Sequence, residues 1–340
     1  MYKYFRSLLF RLDPETAHSL TINIVRLAGV IPGLRSLIRS NFQPPWIPVE
    51  AFGLKFANPV GLAAGYDKDG IGWRGLSMLG FGHIELGTVT PLPQLGNPRP
   101  RIFRLTEDEA LINRMGFPGH GADFLQHKLS GDRPRDLILG VNIGKNRDTP
   151  LDSALNDYLI LLQRFAPLAD YLVINISSPN TIGLRRLQAR QDLDKLLDGL
   201  AIARQDEERN IKKQIPMLVK LAPDLSDAEL NDAVDVITQH GIDGVVATNT
   251  TTIREGVRSQ KSSEEGGLSG RPLTAQSTEM VQKIYSRTSG SLPIIGAGGV
   301  MNASDAEAKL DAGAVLIQVY TGLIYKGPGL VREILNGLST

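Results

Sequence analysis

The segment Asn175-Ile176-Ser177-Ser178-Pro179-Asn180 closes an apolar run with two asparagines and two serines. Asn142 and Lys220 also sit inside or at the edge of apolar runs. A polar group buried there without a partner costs free energy, so these positions point to a large ligand rich in hydrogen-bonding atoms. A lysine closing a buried strand can stabilise an anionic ligand or a reduced cofactor; it would equally serve a Schiff-base aldolase. The chain has no cysteine, and His18, His83, His120, His127 and His240 lie neither at strand C-termini nor at metal-ligand spacing. No metal site is therefore expected, and proton transfer falls to lysine, serine or a carboxylate. Ser178 is the most unusual candidate, although a lone serine before proline also reads as a turn residue. Lys68, flanked by Asp67 and Asp69, reads by itself equally as part of a solvated charge cluster.

Glycines form the second group. Gly270 and Gly298-Gly299 allow backbone N–H groups to approach a ligand closely, as phosphate-binding loops require. Gly296-Ala297-Gly298-Gly299 lacks the third glycine and the later acidic residue of a dinucleotide fingerprint, and there is no GxxxxGK[ST] loop for ATP.

Such residues need a scaffold. From about residue 56, eight short apolar runs alternate with helical patterns, near 59–64, 83–89, 137–143, 171–176, 217–221, 244–248, 293–296 and 315–319. Eight strand–helix units predict one closed (β/α)₈ TIM barrel, with an open doubly wound sheet as the competitor, and barrels place their sites at strand C-termini. Every one of these strand ends carries a hydrogen-bonding residue or a glycine.

The 340 residues are 42% hydrophobic and 21% charged, an ordinary globular composition. Thirty-seven basic residues against thirty-six acidic ones argue against a nucleic-acid partner. The balance is uneven, because residues 1–40 hold Lys3, Arg6, Arg11, Arg26, Arg35 and Arg39 against Asp13 and Glu15, a net +4. Helical spacing there predicts two short amphipathic helices, the second capped by Asp13-Pro14 and ended by Gly29 and Pro32. No stretch reaches the roughly 18 apolar residues of a bilayer span, and a signal peptide is not expected. The prolines at 44, 45 and 48 predict a linker.

Seven collinear motifs then carry a resemblance: Gly61-Leu-Ala-Ala-Gly-Tyr-Asp-Lys-Asp-Gly70, Asn113-Arg-Met-Gly-Phe117, Asn142-Ile-Gly-Lys-Asn146, Asn175-Ile-Ser-Ser-Pro-Asn180, Ala247-Thr-Asn-Thr250, Gly267-Leu-Ser-Gly-Arg-Pro272 and Gly296-Ala-Gly-Gly299. Together they resemble the quinone-dependent (class 2) dihydroorotate dehydrogenases over nearly the whole chain. Tyr66 and Ala297 depart from the residues usual there and carry no assigned role. The resemblance implies oxidation of dihydroorotate to orotate on one FMN per chain, in de novo pyrimidine biosynthesis, with electrons passed to ubiquinone or menaquinone. It implies that Ser178 is the base taking the C5 proton while hydride leaves C6 for the flavin N5. A closed loop over residues 178–190 would exclude water and relay that proton. Ala64, Gly65, Lys68, Thr88, Asn142, Asn175, Lys220, Thr248, Gly270, Gly299, Tyr320 and Thr321 would hold FMN. Lys68, Asn113, Arg114, Met115, Gly116, Phe117, Asn175, Asn180, Asn249 and Thr250 would hold dihydroorotate, and His18, Arg104 and Tyr320 would line a quinone tunnel.

The expected organisation is a membrane-associating helical domain at 1–40, a linker and start of a barrel cap at 41–55, and an FMN-binding barrel at 56–340. The expected state is a monomer, peripheral to the cytoplasmic face of a bacterial inner membrane. The competing readings are a soluble class 1 enzyme using fumarate or NAD, and a barrel that binds a flavin or lipid without catalysis. Class 1 enzymes use a cysteine base, which this chain cannot supply.

Overall fold

The computed structural model describes residues 2–134 and 136–339. Three helices open the chain, α1 (Tyr2–Leu9), α2 (Pro14–Val30) and α3 (Pro32–Phe42). The Asp13 carboxylate accepts from the N–H groups of Glu15 and Thr16, both at 3.0 Å, and Pro14 fills the first turn of α2. Two helices were expected here, and a third follows. α2 stops at Val30, between Gly29 and Pro32 as expected, and Pro32 also starts α3, because its fixed φ suits a first helical position.

The strands are β1 (Val49–Ala51), β2 (Leu54–Phe56), β3 (Val60–Leu62), β4 (His83–Val89), β5 (Ile102–Leu105), β6 (Ala110–Asn113), β7 (Ile138–Ile143), β8 (Tyr171–Asn175), β9 (Met217–Leu221), β10 (Gly244–Ala247), β11 (Gly267–Gly270), β12 (Ile294–Ala297) and β13 (Leu316–Val319). Eight of them close a parallel barrel in the order β3-β4-β7-β8-β9-β10-β12-β13, so all eight expected runs are barrel strands and the open sheet is excluded. Burial on both faces explains why these strands read as continuous apolar runs.

Two smaller sheets sit at opposite ends. The β1–β2 hairpin brings Phe52 and Phe56 to the barrel bottom, where Phe56 packs with Tyr171, Val173, Leu218, Val246, Ile295 and Leu316. His83 is fully buried in that layer, its ring 5.5 Å from Phe56 and 6.4 Å from Tyr171. Burial pushes the imidazole down to about 3, so it is a neutral packing group. Glycines face these rings: a Cβ on Gly140 would run into the Tyr171 ring. Gly140→Ala is therefore expected to destabilise the fold by about 1–3 kcal/mol, the usual overpacking penalty, read as a lower thermal midpoint with an unchanged far-UV circular dichroism spectrum.

At the top lies a three-stranded antiparallel sheet, β5-β6-β11. Alternation did not reveal it, because β11 pairs with β6 across about 150 residues of chain, with Gly267 opposite Asn113. The N-terminal helices dock beside this sheet. Ile22 of α2 lies on Gly72, and a Cβ on Gly75 of α4 (Trp73–Leu76) would strike the Val25 carbonyl, so the glycines permit the close approach. The Glu15 carboxylate accepts from Arg101 Nη2 at 2.6 Å, and Arg104 Nη1 donates to the Leu12 carbonyl at 2.7 Å.

Candidate active site

At the C-terminal ends of the barrel strands lies a cavity of about 990 Å³, counting the open solvent at its mouth. Its walls follow the strand order. Ala64, Gly65 and Lys68 come after β3, Thr88 from β4, Asn175, Ser178 and Asn180 from β8 and its loop, and Lys220 from β9. Thr248, Asn249 and Thr250 follow β10, Gly299 follows β12, and Tyr320 and Thr321 follow β13. The top sheet completes the enclosure with Asn113, Met115, Gly116, Phe117 and Gly270. Residues spread over more than 250 positions of sequence thus converge on one volume.

Two expected contact residues lie elsewhere. Asn142 is fully buried beneath the floor rather than on it. Its Oδ1 accepts from Thr88 Oγ1 at 2.5 Å and Asn175 Nδ2 at 3.0 Å, tying it to two residues of the cavity wall. Arg114 is outside the cavity, bonded to Glu264 at 2.7 Å and stacked 4.6 Å from the Phe103 ring. A guanidinium so engaged braces the top sheet. Sequence reasoning missed Ser269, Leu273, Val300 and Gln318 on the walls and Glu85 behind them. Glu85 had a readable signal, a carboxylate in the middle of the apolar strand 83–89.

Ser178 is 5% exposed, with its Oγ accepting the Asn180 N–H at 3.3 Å. Its loop is stapled shut by Arg185, which donates to the Ser177 carbonyl (3.1 Å), Asp224 (2.7 Å) and the Thr250 carbonyl (2.9 Å). Next to it, Asn249 Nδ2 donates to Ser177 Oγ at 2.9 Å and Asn180 Nδ2 to Asn113 Oδ1 at 3.1 Å. The result is a dry, amide-rich wall beside a serine hydroxyl.

Both lysines are perturbed. Burial lowers the Lys68 ammonium to about 8 against the opposing pull of Asp69, and its Nζ donates to the Gly65 carbonyl at 2.7 Å. Burial likewise lowers Lys220, opposed by the charge of Glu85. Raising the pH through 8 discharges Lys68, so an anionic ligand held by it should bind more weakly there. For such an anion the expected rise in Kd is about tenfold per pH unit above that value, and Lys68→Ala should flatten the profile at a weakened level in a calorimetric titration.

The glycine-rich side fits a phosphate. Gly270 (φ 97°), Gly298 (φ 106°) and Gly299 (φ 73°) adopt left-handed backbone that glycine tolerates. A Cβ on Gly299 would collide with Thr274, whose Oγ1 donates to the Gly299 carbonyl at 2.8 Å.

A second cavity of about 580 Å³ runs between α1, α2 and the top sheet. It is lined by His18, Arg104 and Tyr320, with Phe10, Ala17, Tyr66, Leu111 and Ile324 among mainly apolar neighbours. Tyr320 lines both cavities. Tyr66, which the sequence left without a role, stands edge-on to His18 (5.2 Å) and to Tyr320 (5.5 Å) where they meet. Burial, assisted by the Lys68 charge, lowers His18 to about 4 and keeps it neutral in this apolar passage.

A closed eight-stranded parallel barrel with a ligand cavity built on its strand C-termini defines a (β/α)₈-barrel enzyme. A family model described as dihydroorotate dehydrogenase matches residues 47–340. The chain belongs to the dihydroorotate dehydrogenase family, a family of oxidoreductases. It is 48% identical over 340 residues to the dihydroorotate dehydrogenase (quinone) of Stutzerimonas stutzeri, covering all of this chain and 98% of that one. It is 52% identical over 334 residues to the dihydroorotate dehydrogenase (quinone) of Anaeromyxobacter sp., covering 97% and 90%. A ligand-free DHODH structure from Eimeria tenella superposes with a TM-score of 0.87 at 41% identity, over 96% of this chain and 94% of that one. The same organism's DHODH in complex with ferulenol gives 0.85 at 40% identity, over 96% and 90%.

Proposed function

We propose that this protein oxidises dihydroorotate to orotate on bound FMN and delivers the electrons to a membrane quinone, at a membrane surface engaged by residues 1–40. The observation that carries this reading is the meeting of the two cavities at Tyr320, one polar and serine-bearing, the other apolar and walled by the N-terminal helices. A small polar substrate and a hydrophobic acceptor can thus reach opposite sides of one bound ring.

The donor set fits a flavin. Thr88, Asn175 and Lys220 present hydrogen-bonding groups toward an amide-bearing ring, and the cradle of Gly270, Gly298 and Gly299 suits its phosphate. FMN supplies a two-electron acceptor that a quinone can reoxidise. The rest is the chain's own work. Lys68 meets the substrate carboxylate, and the Asn113, Asn175, Asn180 and Asn249 amides match the donors and acceptors of the dihydropyrimidine ring. Ser178 Oγ takes the C5 proton, and the loop stapled by Arg185 keeps competing water away from it. Tyr66 and neutral His18, with the apolar residues around them, give the second passage a largely apolar lining, which suits a quinone.

The membrane reading rests on α1 to α3. Tyr4, Phe5, Leu8, Leu20, Ile24, Leu27, Val30 and Leu37 are all exposed there, beside an excess of basic residues. No single described helix is long and apolar enough to cross a bilayer, so these helices would lie in its interface. The test is anaerobic mixing with dihydroorotate, followed by quinone, fumarate or NAD in parallel. Bleaching of the flavin and reoxidation by quinone alone are expected. Reoxidation by fumarate or NAD would favour the soluble class, and failure to bleach would leave only a binding protein.

A further inference from the structure

Glu85 lies fully buried in the middle of β4, behind the cavity, and has no place in the reaction described above. Both its carboxylate oxygens are occupied: Asn142 Nδ2 donates to one at 2.7 Å and Gln318 Nε2 to the other at 2.6 Å. Among the described residues it makes no ion pair, but Gln318, which it holds, lines the same cavity as buried Lys220, and the Glu85 charge opposes the lowering of that lysine by burial. A buried charge balanced only by neutral amides is costly.

A carboxylate can only accept, so it dictates the direction of everything bonded to it. Asn142 must turn its NH₂ toward Glu85, which leaves Oδ1 for Thr88 and for Asn175 Nδ2. Asn175 in turn presents Oδ1 to the Ser177 N–H (3.3 Å) and to Asn249 Nδ2 (3.4 Å). One acceptor at the bottom thereby sets the donor and acceptor faces of three asparagines up to the wall beside Ser178. We infer that Glu85 is a positioning residue with two effects: it fixes the polarity of the Asn142–Asn175–Asn249 chain, and it offsets part of the Lys220 charge acting on the cofactor ring. This rests on the flavin reading above.

Glu85→Gln isolates the charge. Gln318 Oε1 has no partner, so that amide can turn over and accept from the new side-chain NH₂, while Asn142 keeps an oxygen to donate to. With Lys220 less offset, the electron pair on the bound flavin is better stabilised. The experiment is equilibrium reduction of full-length holoenzyme against a two-electron reference dye, with the melting midpoint followed alongside. In Glu85→Gln the bound flavin should partition toward its reduced form by about tenfold or more, as expected for removing one charge from a partly screened interior. Glu85→Asp, which keeps the charge, should stay near the wild-type partition. If Glu85→Gln yields no folded protein, Gln318→Met, which keeps the carboxylate charge but removes an amide donor that partly neutralises it, should move the partition the opposite way, toward the oxidised form. An unchanged partition in folded Glu85→Gln, or in Gln318→Met when it is the variant available, overturns the inference. Wild-type enzyme that holds no flavin would overturn the underlying reading instead.

Discussion

Ser178→Ala should bind dihydroorotate with little loss and bleach the flavin roughly 10²- to 10⁴-fold more slowly in anaerobic stopped flow, the usual worth of a positioned base. The effect is large because no thiol, carboxylate or imidazole is at hand to replace it. The chain has no cysteine, and the cavity-lining residues include no carboxylate and no histidine. The two lysines that line it are assigned to charge rather than to the C5 proton. Binding should survive because Lys68 and the asparagine amides are untouched by the loss of one hydroxyl. Ser178→Cys should recover part of the rate with a pH profile displaced to lower pH, because a thiol ionises more readily than an alcohol. An unchanged bleaching rate in Ser178→Ala would remove the serine from the reaction.

The second large effect concerns the acceptor side. Leu20, Ile24 and Leu27 of α2 are 46%, 56% and 57% exposed. Burying the exposed half of each such side chain in a lipid interface contributes about 1 kcal/mol. The triple variant Leu20→Glu, Ile24→Glu, Leu27→Glu should therefore lose sedimentation with anionic vesicles. Its turnover with membrane-borne quinone should fall by roughly 10²-fold or more, while turnover with a water-soluble dye stays near wild type. Substitution is a cleaner test than deleting residues 2–40. Deletion would also strip the Glu15–Arg101 contact and the packing of Ile22 on Gly72, and so disturb the barrel as well as the surface. Quinone turnover that survives the triple variant would separate α2 from the membrane.

Among the described residues, what could be read early and what could not divides along physical lines. The barrel strands were legible because a parallel strand buried on both faces needs an uninterrupted apolar run, a local property. Ser178, Asn175 and Lys220 were legible because polar groups at the ends of such runs are costly without a partner. The same reasoning applied to Glu85 and went unused there. The top sheet was not legible, since β6 meets β11 through backbone bonds between distant segments that carry no strong alternation of their own. Nor was the placement of Asn142 and Arg114, both inside motifs that read as ligand-binding. Where their side chains point depends on neighbours brought in from elsewhere, Glu85 for one and Glu264 for the other.

By itself, then, the sequence determined the eight strand–helix units, a proton-transfer chemistry without cysteine, and a basic, amphipathic N-terminus, because each follows from residue type and local spacing. Tertiary structure alone decided that Tyr320 joins two cavities, that Tyr66 stands at their junction, and that a buried carboxylate orients the asparagines beneath the site. Those relations are contacts between residues far apart in the chain, and only closure of the barrel and docking of the helices bring them together.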